Sequence, residues 1–235
     1  RSTCMRIQTV PVQDYRQDSS QTPKRGGARK GSGPKRKTLR RNVRHEKRQR
    51  IEGTTVCHVT LRVAPDVPNL RTQSAFRVIQ EVLREKKVHQ SFRLVHFTVQ
   101  RDHFHLVVEV GSNEDLSKAM QRMKGSLALR LNAHFRRQGS LFADRYHFVP
   151  TTDQLRIRNM VRYVLTNARK HRIKLPEGEL DPLSSARYCT AWWDRCGEPI
   201  TSSCPVMPPQ TWQVSHLSLL GRFSPAYAPR SVIEA

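Results

Sequence analysis

The sequence lacks any long apolar run, and its first residues do not resemble a secretory signal. No stretch approaches the roughly 18 apolar residues that a membrane-spanning helix needs. Arg1, Arg6 and Arg16 are spread among polar residues, without the apolar segment of a signal peptide. We therefore expect a cytoplasmic protein with no membrane partner.

The cysteines lack the number and the spacing of a disulfide framework. Cys4, Cys57, Cys189, Cys196 and Cys204 are odd in number, and no pair forms a CxxC motif. This pattern favours a reducing compartment. The last three cysteines match the spacing of no common zinc module, so a zinc site is only a minor alternative.

Acidic residues are scarce relative to basic ones, and this imbalance indicates an anionic partner. The chain has 42 Lys and Arg against 19 Asp and Glu, which gives a formal charge of +23. So large an excess of one sign repels itself unless an anion offsets it. A nucleic acid does so with release of its counterions, and a small neutral substrate does not need such charge.

Basic residues are densest near the start of the chain. Between residues 21 and 50 there are thirteen Lys or Arg and one acid, Glu46. Such a segment cannot build a core, so residues 1–54 are expected to form a disordered basic arm. We interpret the arm as a clamp on DNA, with a solubilising tail as the alternative. Its candidate DNA contacts are Lys30, Lys35, Arg36 and Lys37.

The middle of the chain, residues 55–173, carries regular secondary-structure patterns. Four segments are typical of strands, and they are 56–63, 92–99, 103–110 and the end of 141–149, which Pro150 stops. Three segments have helical spacing, and they are 72–88, 113–139, which Gly139 ends, and 153–171. The order β-α-β-β-α-β-α predicts an α+β, ferredoxin-like sandwich with an antiparallel sheet and helices on one face. Residues 174–235 are expected to form a partly irregular extension, in which Trp192 and Trp193 pack back on the domain.

The third strand contains two histidines separated by one residue. Side chains alternate between the faces of a strand, so His103 and His105 point the same way and could bind one metal ion. Phe104 then points to the opposite face, toward the helices. Because ten histidines occur in the chain, the pair alone leaves metal binding and a structural role both open.

The final helix contains a tyrosine and an asparagine four positions apart, Tyr163 and Asn167. This spacing places them on one helix face. They could act as a nucleophile and an oxygen ligand. The alternative is a buried tyrosine whose hydroxyl bonds to a helical neighbour.

Three stretches together resemble the single-tyrosine HUH transposases, in which U is a hydrophobic residue. This family includes the REP-associated tyrosine transposases and related insertion-sequence transposases. The stretches are 102–109 (DHFHLVVE), 139–147 (GSLFADRYH) and 163–169 (YVLTNAR). Two positions depart from the family pattern: Ala168 stands where proline is common, and Asp102 stands where asparagine is common. Ala168 predicts that the helix continues past Asn167.

The resemblance implies an enzyme that nicks and rejoins single-stranded DNA hairpins through a 5′-phosphotyrosine on Tyr163. It also implies Mg²⁺ or Mn²⁺ held by His103, His105 and Asn167. Such a transposase acts on the bacterial nucleoid, as a monomer or a homodimer. Further candidate DNA contacts are Lys118, Arg122, Lys124, Arg145, Tyr146, Arg169 and Lys170. Arg162, Arg169 and Lys170 are also candidates to favour the tyrosine phenolate.

Three other functions are compatible with the same features. One is a non-catalytic protein that binds single-stranded nucleic acid on the same fold. Another is an HUH initiator of replication or plasmid transfer, and the third is a basic RNA-binding protein. A nick that depends on Tyr163, His103 and His105 would separate the enzymes from the binding proteins.

Overall fold

An antiparallel sheet is the centre of the part of the chain that the computed structural model describes, residues 48–192, 194 and 196–225. Its strands are β1 (Thr55–Arg62), β2 (Val88–His89), β3 (Phe92–Val99), β4 (His103–Val110) and β5 (His147–Thr151). They lie in the order β2-β3-β4-β1-β5, and every neighbouring pair is antiparallel. The predicted α+β class is confirmed.

Helices connect and follow these strands. They are α1 (Gln73–Lys86), α2 (Asn113–His134), α3 (Gln154–Leu165), α4 (Asn167–Lys170) and α5 (Trp212–Ser215). Thr72, Ser112 and Asp153 cap the first three helices, since each side chain accepts a backbone N–H of the first turn. The predicted order of elements is confirmed, with the short strand β2 added.

The helices cover both faces of the sheet. Cys57, Leu61 and Leu106 belong to the core cluster that includes the buried side chains of α1 and α2. Val56 and Val107, on the alternate face, pack with the buried side chains of α3. The expectation of helices on one face of the sheet therefore holds for α1 and α2. The helix α3 covers the other face, because that face is also apolar.

Two predicted boundaries were wrong. The helix α2 ends at His134 rather than at Gly139, because Arg136 leaves it with a positive φ of 51°, a conformation usually reserved for glycine. Pro150 does not stop β5, which continues to Thr151. Because β5 is an edge strand, it tolerates a residue that has no N–H to donate.

The final helix is interrupted, contrary to the prediction of one helix running to His171. Thr166, with φ −104° and ψ 9°, lies between α3 and α4. Its hydroxyl donates to the carbonyl of Arg162 over 2.7 Å, and such a local bond competes with the helical pattern. Ala168 therefore does not keep the helix continuous, although α4 follows directly.

Residues 174–225 pack against the sheet without forming a further strand among the described residues. Ser185 N–H donates to the carbonyl of Phe97 over 2.9 Å. Trp192 is buried, and its ring N–H donates to the carbonyl of Ala186 over 2.8 Å. Trp193 lies outside the described residues, as do Lys30, Lys35, Arg36, Lys37 and the rest of residues 1–47. None of the described helices combines the length and the apolar character needed to cross a membrane.

A buried ion pair fastens this C-terminal segment to the domain. Arg71 donates to both carboxylate oxygens of Asp181 at 2.9 and 2.7 Å. The Asp181 side chain is only 1% exposed, and its carboxylate also accepts the backbone N–H of Leu183. Removal of one partner would leave the other charge buried and unpaired.

Asp181→Ala should therefore lower the free energy of unfolding by about 3 kcal/mol, because breaking a buried pair strands a charge. Urea unfolding followed by circular dichroism at pH 7 measures the change. Glu198→Ala is the matched control, since Glu198 pairs with Arg187 at 3.9 Å on the surface. That control should change stability by less than about 1 kcal/mol. Equal effects of the two substitutions would contradict the assigned role of Asp181.

The buried His96 predicts acid sensitivity of the fold. Burial lowers its pKa from 6.5 to about 4, so the folded protein resists a proton that the unfolded chain accepts. Stability is therefore full above pH 6.5 and is lost as pH falls toward 4. Between pH 7 and pH 4, the free energy of unfolding should fall by about 3 kcal/mol less in His96→Gln than in the wild type. Urea unfolding at both pH values tests this, with the exposed His134→Gln as control, and an unchanged pH slope in His96→Gln would refute it.

Candidate active site

The strand β4 presents two imidazoles on the face of the sheet that α3 covers. The Nε2 atoms of His103 and His105 lie 3.1 Å apart. Phe104, between them, is fully buried in the core on the side of α1 and α2. The alternation of a strand therefore places the two rings together, as expected from their spacing.

Asp102 fixes the orientation of His103. The Nδ1 atom of His103 lies 2.7 Å from a carboxylate oxygen of Asp102. A carboxylate accepts only, so Nδ1 carries the hydrogen and Nε2 has a free lone pair. Although burial opposes the shift, the hydrogen bond from His103 holds the pKa of the Asp102 carboxyl below its usual range. Burial lowers the pKa of His103, with Asp102 acting against it.

A third imidazole, that of His58, contacts His105 from β1. Its Nε2 lies 3.0 Å from Nδ1 of His105, and the Thr60 hydroxyl lies 3.3 Å from the same atom. Burial lowers the pKa of His58 to about 4 and that of His105 well below 6.5, with neighbouring histidines adding to both shifts. The rings are therefore neutral near pH 7 and can offer lone pairs. Sequence reasoning missed His58, although a polar ring within an apolar strand (VCHVTLR) was a usable signal.

Tyr163 of α3 packs edge-on against these rings. Its centroid lies 5.4 Å from that of His105 and 5.9 Å from that of His58, with interplanar angles of 73° and 75°. Lys170 also contacts this tyrosine, with Nζ 3.3 Å from the hydroxyl oxygen and 4.9 Å from the ring centroid. The structure therefore brings together the predicted tyrosine, both predicted histidines and one predicted cation.

A fourth imidazole borders the same cluster. The ring of His171, which follows α4, lies 5.1 Å from that of His103 at an angle of 62°. Its side chain is exposed, unlike the other three. It was also missed from the sequence, because its contact with His103 joins residues far apart in the chain. We call His58, His103, His105 and His171 the imidazole cluster.

Asn167 carries an unexplained polar group. Its side chain is fully buried, and neither its amide oxygen nor its nitrogen has a hydrogen-bond partner among the described residues. A buried amide without partners is destabilising, so its presence needs a reason. Its position at the start of α4, shortly after Tyr163, is compatible with the predicted role as an oxygen ligand.

The donor set of the site fits a divalent cation. Two nitrogens that bind one ion at about 2.1 Å lie roughly 3.0 to 3.4 Å apart, a range that includes the distance between the Nε2 atoms of His103 and His105. In the described part of the chain, no three His, Cys, Asp or Glu side chains are arranged to hold a metal. The amide oxygen of Asn167 is a potential ligand of another kind, and it has no hydrogen-bond partner among the described residues.

The other predicted DNA contacts lie away from this cluster. Lys118, Arg122 and Lys124 belong to α2, which packs on the opposite face of the sheet. Arg169 is engaged by the C-terminal segment, since it donates to the carbonyls of Pro225, Pro176 and Glu179.

Arg145 and Tyr146 precede the edge strand β5. Tyr146 is buried, and its hydroxyl accepts a hydrogen bond from Arg48, whose guanidinium carbon lies 4.1 Å from the ring centroid. Arg145 is half-buried. The pair therefore belongs to an edge of the sheet, and its role as a DNA contact stays a prediction.

The chain is similar to known proteins in sequence and in fold. Residues 56–167 match the family model described as "Transposase IS200 like". The fold is similar to a solved structure of a REP-associated tyrosine transposase bound to a REP hairpin, with a TM-score of 0.52 and 17% identity over 68% of this chain and 99% of that chain. A protein from Deinococcus radiodurans R1, assigned as a transposase, has a TM-score of 0.37 and 17% identity over 48% of this chain and 90% of its own. No curated protein matches the chain significantly.

The family match begins in β1 and ends at Asn167, so it includes both histidines of β4 and Tyr163. The resemblance found in the sequence is thus confirmed by a comparison that does not depend on the geometry of the site. Through residues 56–167, the chain is thus similar to the IS200-like transposase family.

Proposed function

We propose that this transposase nicks and rejoins single-stranded DNA through a covalent 5′-phosphotyrosine on Tyr163. The observation that carries the proposal is the proximity of both His105 and Lys170 to Tyr163, at 5.4 Å and 4.9 Å from its ring. An ordinary structural tyrosine needs neither a cluster of neutral imidazoles nor a cation beside its hydroxyl.

Mg²⁺ or Mn²⁺ is the cofactor we assign to the site. His103 and His105 would hold it through Nε2, and Asn167 would hold it through the amide oxygen. When bound, the ion offsets negative charge on the scissile phosphate. Two nitrogen ligands favour Mn²⁺, because Mg²⁺ prefers oxygen more strongly.

Tyr163 supplies the nucleophile. Its oxygen forms a bond to phosphorus while the bond from phosphorus to the 3′ oxygen breaks. The phenolic proton leaves to solvent, and the departing oxygen gains one to become a 3′-hydroxyl. Attack by a 3′-hydroxyl on the phosphotyrosine reverses these steps and joins a new strand. No ATP is consumed, because the number of phosphoester bonds is conserved.

Lys170 assists the tyrosine. Its ammonium group lies 3.3 Å from the hydroxyl oxygen. A preorganised cation stabilises the negative charge that develops on that oxygen when the proton leaves. We therefore assign Lys170 to activation of the nucleophile rather than to contact with the DNA backbone.

The substrate we assign is a single strand that contains a hairpin. A protein of similar fold binds a REP hairpin, and the formal charge of +23 suits a polyanion. Phosphate contacts are assigned to the basic arm and to the edge with Arg145 and Tyr146. With such a substrate, the place of action is the bacterial nucleoid, and the enzyme acts as a monomer or a homodimer.

Tyr163→Phe should abolish both the nick and the covalent protein–DNA adduct. End-labelled hairpin oligonucleotides from the flanks of the gene are incubated with Mn²⁺ or with EDTA, and products are resolved on denaturing gels. The wild type should nick only with Mn²⁺, and Tyr188→Phe, remote from the cluster, should behave like the wild type. An adduct that persists in Tyr163→Phe would refute the assigned nucleophile. Binding without any nick by the wild type would favour a non-catalytic nucleic-acid-binding protein.

Lys170→Met should slow nicking by about 10²-fold, because it removes a fixed charge next to the reacting oxygen. Single-turnover rates measure this effect, and gel shifts with the same hairpin measure binding, which should change by less than about 3-fold. Lys86→Met, on α1 across the sheet, is the control and should leave both quantities unchanged. A parallel loss of binding and rate would instead make Lys170 a DNA contact.

A further inference from the structure

Both ring nitrogens of His105 are engaged by other imidazoles. Its Nε2 lies 3.1 Å from Nε2 of His103, and its Nδ1 lies 3.0 Å from Nε2 of His58. In a neutral imidazole one nitrogen carries the hydrogen and the other carries the lone pair. The partner of Nδ1 therefore decides whether Nε2 can act as a ligand.

A ligand role for His105 requires the hydrogen on Nδ1, with an acceptor beside it. The Thr60 hydroxyl is 3.3 Å away, but His58 is nearer and almost completely buried. His58 accepts from His105 when its own hydrogen lies on Nδ1. Outer groups of this kind orient metal-binding histidines and fix their tautomer.

His58 differs from Asp102, which performs the corresponding function for His103. A carboxylate can only accept, whereas a neutral imidazole can donate or accept through the same nitrogen. Without an ion, two lone pairs facing each other at 3.1 Å repel, so His105 donates from Nε2 to His103 and accepts from His58. With an ion, each of His58 and His105 carries its hydrogen on Nδ1 instead of Nε2, and the total number of protons is unchanged.

We propose that His58 is a positioning residue that sets the tautomer of His105 and thereby frees its Nε2 to bind the cation. The proposal rests on the metal site of the proposed function and extends it from β4 to β1. The same ring lies edge-on to Tyr163, with centroids 5.9 Å apart, so one buried side chain connects the metal ligand with the nucleophile.

Mn²⁺ binding to the full-length protein, followed by electron paramagnetic resonance, tests the proposal independently of nicking. His58→Leu should weaken binding by about 10- to 100-fold, because the acceptor of Nδ1–H is lost. His58→Gln should restore binding to within a few-fold of the wild type, since its amide oxygen can take the place of Nε2. His96→Gln, in a buried histidine outside the imidazole cluster, should have no effect.

Nitrogen-15 spectra of the histidine rings give a second readout that a merely structural role would not change. With Mg²⁺ bound, His105 should carry its hydrogen on Nδ1 in the wild type and in His58→Gln. In His58→Leu, the hydrogen of His105 should no longer lie on Nδ1 alone. If His58→Leu does not fold, His58→Asn replaces it, because its shorter amide does not reach Nδ1.

The outcomes separate this inference from the proposed function. Unchanged Mn²⁺ affinity and an unchanged His105 tautomer in folded His58→Leu or His58→Asn overturn the role of His58 alone, provided that His103→Ala abolishes binding. Failure of the wild type to bind Mn²⁺ overturns the metal site itself, and the role of His58 falls with it.

Discussion

The pairing of β1 with β4 is the constraint on which the site depends. Thr60 lies opposite His105 in this antiparallel register, so His58, His103 and His105 share one face of the sheet. Phe104 and the other β4 residues that point to the opposite face fill the main core. A slip of one residue would move the imidazoles into that core and the phenyl ring out of it, which the burial of apolar surface strongly opposes. The energetics of the fold thus fix the chemistry of the site.

The pairing of β1 with β4 also places a polar cluster within an otherwise apolar layer. Val56, Val107 and Val164 belong with Tyr163 to the buried apolar cluster on the face that α3 covers. Removal from water favours neutral imidazoles, and it also strengthens the interaction between Lys170 and the tyrosine oxygen. Neutral rings are what a cation needs as ligands. Burial therefore keeps the rings of His58 and His105 neutral near pH 7, as the proposed cation site requires.

Local patterns predicted the parts of this arrangement that local geometry determines. The bounds of β3 and β4 and the common direction of His103 and His105 follow from alternation along a strand. The position of His58 within an apolar strand was a usable signal, but its contact with His105 depends on a pairing between residues far apart in sequence. The end of α2 was missed because Arg136 adopts a backbone conformation that its residue type does not signal. Residues 174–225 pack through irregular backbone bonds, which leave no periodic pattern.

The position of Lys170 links the family core to the segment that follows it. The family match ends at Asn167, yet Lys170 contacts Tyr163 from beyond that limit. Between them, Arg169 is tied to the carbonyls of Pro225, Pro176 and Glu179. A basic residue that its sequence suggested as a DNA contact thus holds the C-terminal segment against α4. Since α4 carries both Asn167 and Lys170, the C-terminal segment helps to hold the candidate metal ligand and the lysine ammonium group in place. The proposed site therefore depends on more of the chain than the residues that match the family.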